Sequence, residues 1–234
     1  MDDALDEGLS RRELAVARLL DTARTRAESR VQRFLDAALE LMQDRAGKEF
    51  TVQEVVERSG QSLRSFYQYF DGKYELLLAL FEESVRATAE LIRAGFREED
   101  DELQRLHWFV VEYVRLCRPL EPQAPGQKPL APVMVEFAQQ LLTAHPKEAA
   151  RAFAPLVSLF GEVLDEATAA GVINPALPRA IVVGVVLEAI MFNTFSSTIG
   201  GSAAHADIDK KPELLWQLIF GGIGSDAGRA RVAS

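Results

Sequence analysis

Apolar residues recur at three- and four-residue steps along almost the whole chain, the spacing of helices that each bury one face. Val31, Phe34, Leu35, Ala38, Leu41 and Met42 predict a first helix over about 28–44, with Gly47 just beyond it. Thr51-Val52-Gln53-Glu54 is a capping box, in which the threonine hydroxyl accepts a backbone N–H and the glutamate reaches back to the cap. It opens a short helix that runs to Ser59 and stops at Gly60, and Ser62 then caps a second short helix through Phe70. Leu76, Leu77, Leu80, Phe81 and Val85 mark a longer helix over 73–94, and the acids of 98–102 open another, where negative charge suits the helix dipole. Five prolines and Gly126 make 119–132 a loop. Further helices are predicted to about Ala144, over 146–170 with Gly171 as its stop, over 177–199 and over 212–220, with a loop over 200–211 and a frayed tail from Gly221. No segment shows the bounded alternation of strands, so the expected fold class is all-α.

The chain has 234 residues, 48% of them hydrophobic, which fills a real core and excludes disorder as its main state. A single cysteine, Cys117, excludes an internal disulfide and a cysteine-built zinc cluster, and fits a reducing compartment. The first residues are acidic where a secretory signal needs positive charge. The longest apolar stretch, 180–195, holds Glu188 and falls short of the roughly 20 residues a bilayer span needs. A cytoplasmic protein without membrane contact is expected. The formal net charge of -9 argues, taken alone, against a nucleic-acid partner.

Two short helices joined at Gly60 describe a helix-turn-helix, whose second helix enters the DNA major groove. Leu63, Phe66 and Phe70 are assigned to the core of that small unit, leaving Arg64, Ser65, Gln68 and Tyr69 to face outward. The outward set is rich in hydrogen-bonding groups and holds no acid.

From Val31 to Leu77 the chain resembles the tetracycline-repressor (TetR) family of bacterial transcriptional regulators. The resemblance rests on the capped helix, Gly60, Ser62, and above all Phe66-Tyr67-Gln68-Tyr69-Phe70-Asp71-Gly72-Lys73-Tyr74-Glu75-Leu76-Leu77 at the junction to a long helical region. Two positions depart from the family pattern: Gln61 stands where an apolar residue is usual, and Leu63 where a polar one is common. Leu63 either packs inward in compensation or meets a thymine methyl. The resemblance implies phosphate positioning by Tyr67 and Lys73, and base-edge or phosphate contacts from Ser65, Gln68 and Tyr69. The helix starts at Thr51 and Ser62 would offer N–H groups to phosphates, and Arg64 would reach a guanine or the backbone.

Ahead of this region, Arg11, Arg12, Arg18, Arg24, Arg26, Arg30 and Arg33 face only Glu13, Asp21 and Glu28. Two readings stand for this extension: an arm or extra helix that reaches DNA backbone or minor groove, and a solvated, partly disordered segment. The charge divides accordingly. Residues 1–9 carry -4, residues 10–75 carry +1, and residues 76–234 carry -6. The overall acidity therefore belongs to the body of the chain and its extreme N-terminus, and the argument against DNA lapses for 10–75.

The helix over 177–199 is apolar on more than one side, which calls for burial against its own domain and against a second chain. The resemblance implies that this helix and the last one build a four-helix bundle with a partner subunit. Ile181, Val185, Glu188, Leu215, Leu218 and Ile219 are the expected interface, and two reading heads would then meet a roughly palindromic operator. Glu188 has two readings, a carboxylate fixing the dimer's register and a group lining a ligand cavity. Trp108, Phe109, Tyr113, Phe137, Phe153, Phe160, Phe192 and Phe195 gather where such proteins hold an effector, and an apolar cavity suits a small hydrophobic ligand. The loop 119–132 would shape its entrance.

No catalytic constellation is found. His107, His145 and His205 lack metal-ligand spacing, the glycines at 221–224 lack a strand before them, and Cys117 on an apolar helix reads as a small buried hydrophobe. No enzyme, cofactor or metal is expected. The expected organisation is a basic extension over 1–27, a helix-turn-helix domain over 28–75, a ligand-binding and dimerisation domain over 76–222, and a flexible tail over 223–234. The expected function is that of a DNA-binding transcriptional regulator, most simply a repressor released by a hydrophobic ligand. The competing reading is a helical protein-interaction adaptor that keeps the helix-turn-helix only as scaffold.

Overall fold

A computed structural model of the chain describes residues 10–44, 49–117, 132–199 and 210–233. Within them the chain is helical: α1 (Arg11–Asp44), α2 (Val52–Ser59), α3 (Leu63–Phe66), α4 (Lys73–Ala94), α5 (Glu102–Leu116), α6 (Pro132–Ala144), α7 (Pro146–Ala169), α8 (Arg179–Ile199), α9 (Lys211–Ile223) and α10 (Asp226–Ala233). No strand occurs among the described residues, and one isolated antiparallel bridge pairs Ile173 with Gly224. The expected loops over 119–132 and 200–211 lie outside the described residues except for Pro132, which opens α6, and Lys210 and Lys211 at the start of α9; the acidic residues 1–9 lie outside them as well. No described helix is long and apolar enough to cross a membrane.

The chain forms two compact units, Met1–Leu76 and Leu77–Ser234, divided inside α4. In the first, α1 packs on α2 and α2 on α3. Its core is built from Phe34, Ala38, Leu41, Met42, Phe50, Val55, Val56, Phe66 and Phe70, all buried. Three of these rings form a cluster: Phe34 stands edge-on to Phe66 at 5.4 Å and to Phe70 at 6.2 Å, and Phe66 lies 5.4 Å from Phe70. Such pairs add roughly 0.5–1.5 kcal/mol each beyond the area they bury.

Two sequence expectations change here. α1 begins at Arg11 rather than near residue 28, because 11–27 is composed of strong helix formers with neither glycine nor proline. The core-facing stripe of Phe34, Ala38 and Leu41 continues upstream as Val16, Leu20, Ala23 and Ala27, although Val16, Leu19 and Leu20 are exposed. The second helix of the pair is shorter than expected. α3 ends at Phe66, and the chain then turns through Tyr67–Tyr69, with the Phe70 N–H still bonded to the Phe66 carbonyl at 3.0 Å.

In the second unit α7 lies among α5, α6 and α8, and α9 packs on α5 and α8. Phe109 of α5 stacks on Phe160 of α7 at 4.7 Å, and Trp216 on Phe220 of α9 at 4.7 Å. The expected frayed tail is instead ordered through Ala233. The Ser225 N–H bonds the Val172 carbonyl at 2.9 Å, and α10 follows directly. At Gly228 any Cβ would collide with the Val172 carbonyl oxygen, so glycine permits this close approach. Gly228 thus lets the tail dock, whereas a Cβ at Gly221 or Gly222 would meet nothing within 4 Å.

Phe66 is the ring against which both other members of the cluster pack. Phe66→Ala is expected to lower the stability of the first unit by about 3–5 kcal/mol. The readout is loss of amide-exchange protection across α2 and α3, and unchanged protection would contradict the role assigned to the cluster.

Candidate nucleic-acid interface and effector cleft

The Thr51 hydroxyl accepts the Glu54 N–H at 3.3 Å while the Glu54 carboxylate accepts the Thr51 N–H at 2.8 Å, so the capping box is fully formed. Thr51 also donates its hydroxyl to that carboxylate at 3.0 Å, which engages the side chain inside the cap. At the other end of α2, Gly60 adopts φ 64° and ψ 24°, the left-handed region that favours glycine, and its N–H bonds the Glu57 carbonyl. Two residues later the Ser62 hydroxyl accepts the Ser65 N–H at 3.1 Å and opens α3. A stop, a turn and a start thus occupy Ser59–Leu63 and set the direction of α3 relative to α2.

Packing of Phe66 and Phe70 inward decides what is left outside. Arg64 and Gln68 are exposed, Tyr67 is 56% exposed with its ring edge-on to Phe66, and Tyr69 is half-buried. Two side chains depart from the sequence assignment. Leu63 is 43% exposed rather than packed in the core, because the first turn of α3 lies on the outer side of the aromatic cluster. The Ser65 hydroxyl oxygen is buried and has no hydrogen-bond partner, so it is turned inward instead of toward a ligand. Lys73, on the first turn of α4, sets its ammonium 4.9 Å from the centre of the Phe50 ring and 4.0 Å from the Glu49 carboxylate. A cation at a helix N-terminus opposes the dipole, and the ring face and the carboxylate offset that cost.

Upstream, Arg11, Arg12, Arg18, Arg26, Arg30 and Arg33 are exposed along α1, and Arg24 pairs with Glu28 at 2.7 Å. From Arg11 onward the extension is helical, with its side chains mostly exposed.

The second unit contains an open cleft of about 410 Å³. Tyr113 of α5, Leu142 of α6, Phe153 and Val157 of α7, and Leu187 and Glu188 of α8 stand on its wall. Of the aromatic residues singled out from the sequence, Tyr113 and Phe153 reach this cleft. Phe109, Phe137 and Phe160 are buried core residues that do not line it. Trp108 is held at the end of α4, its indole N–H bonded to the Ile92 carbonyl at 3.1 Å beside Gly95, where a Cβ would collide with the ring. Phe192 is exposed, and the Phe195 side chain lies outside the described residues. The cleft residues that sequence reasoning missed, Leu142, Val157 and Leu187 among them, are aliphatic and carry no signal distinguishing them from ordinary core.

A second exposed feature runs along α8 and α9. Ile181, Val185 and Phe192 form an outward stripe on α8, and Leu214 and Leu218 one on α9, with Leu218 75% exposed. Glu188 is exposed on the same side of α8, while Leu215 and Ile219 are half-buried. The opposite face of α8, with Val183, Val186, Leu187 and Ile190, is buried in its own unit.

The sequence profile described as "Bacterial regulatory proteins, tetR family" matches residues 34–80, which contain the whole capped helix pair and the start of α4. Over those residues the chain matches the tetR family. No curated protein sequence matches it. Among solved structures, the transcriptional regulator FadR from Bacillus subtilis in complex with stearoyl-CoA is 15% identical with a TM-score of 0.63, over 82% of this chain and 98% of that one. A TetR family transcription regulator from Marinobacter aquaeolei VT8 is 18% identical with a TM-score of 0.57, over 86% of this chain and 99% of that one. A gamma-butyrolactone receptor described as ArpA-like is 18% identical with a TM-score of 0.54, over 89% of this chain and 94% of that one. At these identities the likeness is one of fold.

Cys117, half-buried, closes α5 one turn beyond Tyr113 and shares a hydrogen bond with its hydroxyl. Burial pushes the thiol up to about 12, against the lowering effect of that hydrogen bond, and burial likewise raises the Tyr113 phenol well above its usual value. A raised thiol holds its proton, and the thiolate is the nucleophile. At pH 8 iodoacetamide is expected to label the folded chain far more slowly than the urea-unfolded chain, with the rate climbing as pH approaches 12. Equal rates for folded and unfolded chain would contradict a protected thiol.

Proposed function

We propose that this tetR-family chain is a homodimeric transcriptional repressor that leaves a palindromic operator when a small hydrophobic ligand occupies the cleft of its second unit. The observation that carries the DNA-binding part is the outer face of the helix-turn-helix. Capping at Thr51 and Ser62, the left-handed turn at Gly60 and the inward Phe66 and Phe70 leave Arg64, Tyr67 and Gln68 together in solvent with no acid among them. Arg64 and Gln68 carry the donor geometry that reads purine edges, Leu63 offers apolar contact to a thymine methyl, and Tyr67 and Lys73 hold phosphates. The arginines of α1 add backbone contacts beside this face.

Dimerisation follows from the stripe on α8 and α9. Five exposed large apolar side chains on two packed helices match a surface that a second copy covers by two-fold symmetry. Two reading heads then meet half-sites about one DNA turn apart. Solved relatives include one that holds stearoyl-CoA and one that is a gamma-butyrolactone receptor, which supports a small-molecule effector here. The ligand acts by population shift, favouring a conformer in which α4, shared by the two units, carries the heads out of register.

Binding to the chain's own upstream DNA, measured across a salt series, tests the interface residue by residue. Lys73→Ala is expected to weaken binding to all sequences alike and to reduce the salt slope by about 1. Gln68→Ala is expected to cost about 1–3 kcal/mol and to relax preference at one base step. Removal of residues 1–27 flattens the salt dependence further. Binding that ignores sequence, or that survives these changes unaltered, would favour the adaptor reading.

Leu218→Glu places a charge on the most exposed apolar position of α9. The expected result is a monomer by sedimentation that retains its helical content and loses operator binding. A variant that stays dimeric would remove α9 from the interface.

A further inference from the structure

Glu188 is the one carboxylate among the described residues that line the cleft, and no lysine, arginine or histidine stands there with it. Around it the lining is aliphatic and aromatic, and the other side chain with a polar end, Tyr113, shares a hydrogen bond with Cys117. Glu188 itself makes no hydrogen bond or ion pair with any described residue. In the open cleft its charge is met by water. A hydrophobic occupant displaces part of that water, and the carboxylate then needs a replacement partner.

We propose that the cleft selects ligands with an apolar body and a cationic nitrogen, the cation seated against Glu188. The assignment rests on the reading of this cleft as the effector site and deepens it by naming the ligand's charge. Three head groups on the same apolar tail rank differently at such a carboxylate. An ammonium replaces the lost hydration with a charge-assisted hydrogen bond. An alcohol offers one neutral donor, and a carboxylate brings a second negative charge into a site with no cation among its described residues to separate the two. The apolar wall of Leu142, Phe153, Val157 and Leu187 contributes equally to all three, so it sets affinity while Glu188 sets the order.

Calorimetric titration of the full chain at pH 7 with decylammonium, 1-decanol and decanoate, each below its aggregation threshold, reads that order directly. Decylammonium is expected to bind about tenfold tighter than decanol, the size of one partly desolvated ion pair, and decanoate weaker than either. In Glu188→Gln the decylammonium affinity falls to that of decanol while decanol binding stays unchanged, which also shows that the variant's cleft is folded. Decanoate binding as tightly as decylammonium, a preference that survives Glu188→Gln, or no binding by any of the three would overturn the assignment. Operator affinity is measured separately on the same samples. Should decylammonium bind as expected and leave operator affinity unaltered, the switch reading fails while the charge preference of the cleft stands.

Discussion

A helix of four residues has no stability of its own, since nucleation costs more than one turn of hydrogen bonds returns. α3 exists because Phe66 and Phe70 are held against Phe34, and everything the reading head presents depends on that cluster. The rings bury one side of Leu63–Phe70 so completely that the remaining side is committed to solvent. Capping adds direction to this commitment. Thr51 and Glu54 fix where α2 begins, Gly60 where it stops, and Ser62 where α3 starts, so Arg64, Tyr67 and Gln68 emerge on a fixed face.

The second unit follows a different logic. Its interior is closed by stacked aromatics, Phe109 on Phe160 and Trp216 on Phe220, yet α8 and α9 keep an apolar stripe outside that core. A helix with two apolar faces has one too many for a single copy of the fold. Glu188 belongs to both features, since it stands on the outward side of α8 and on the wall of the cleft. Under the proposed function the two readings of this residue, interface and ligand, fall on one position.

Much of this was legible in the sequence because it rests on local rules. The capping box at Thr51, the left-handed Gly60, the Ser62 cap and the pairing of Phe66 with Phe70 are short-range patterns with one physical outcome each. What escaped was decided at longer range or by competing local signals. α1 reached back to Arg11 because helix propensity alone carries it, without the buried contacts that made its later half visible. The segment from Gly221 read as a fraying tail until the contact between Gly228 and Val172, more than fifty residues apart in the chain, showed how it docks. Leu63 and Ser65 were exchanged between inside and outside, because a helix of one turn gives too few positions to fix its phase. The cleft was harder still. Aromatic residues advertise themselves, but only Tyr113 and Phe153 of those named reach its wall, and apart from Glu188 the rest of it among the described residues is apolar.

The central claim is that the face bearing Arg64, Tyr67 and Gln68 reads a two-fold symmetric operator. Selection of bound fragments from the source genome by the full chain tests it most directly. The account predicts enrichment of a few sites with inverted half-sites about one DNA turn apart, lost when Tyr67 and Gln68 are both replaced by alanine. Enrichment no different from that of the double variant, or a motif without two-fold symmetry, would contradict it.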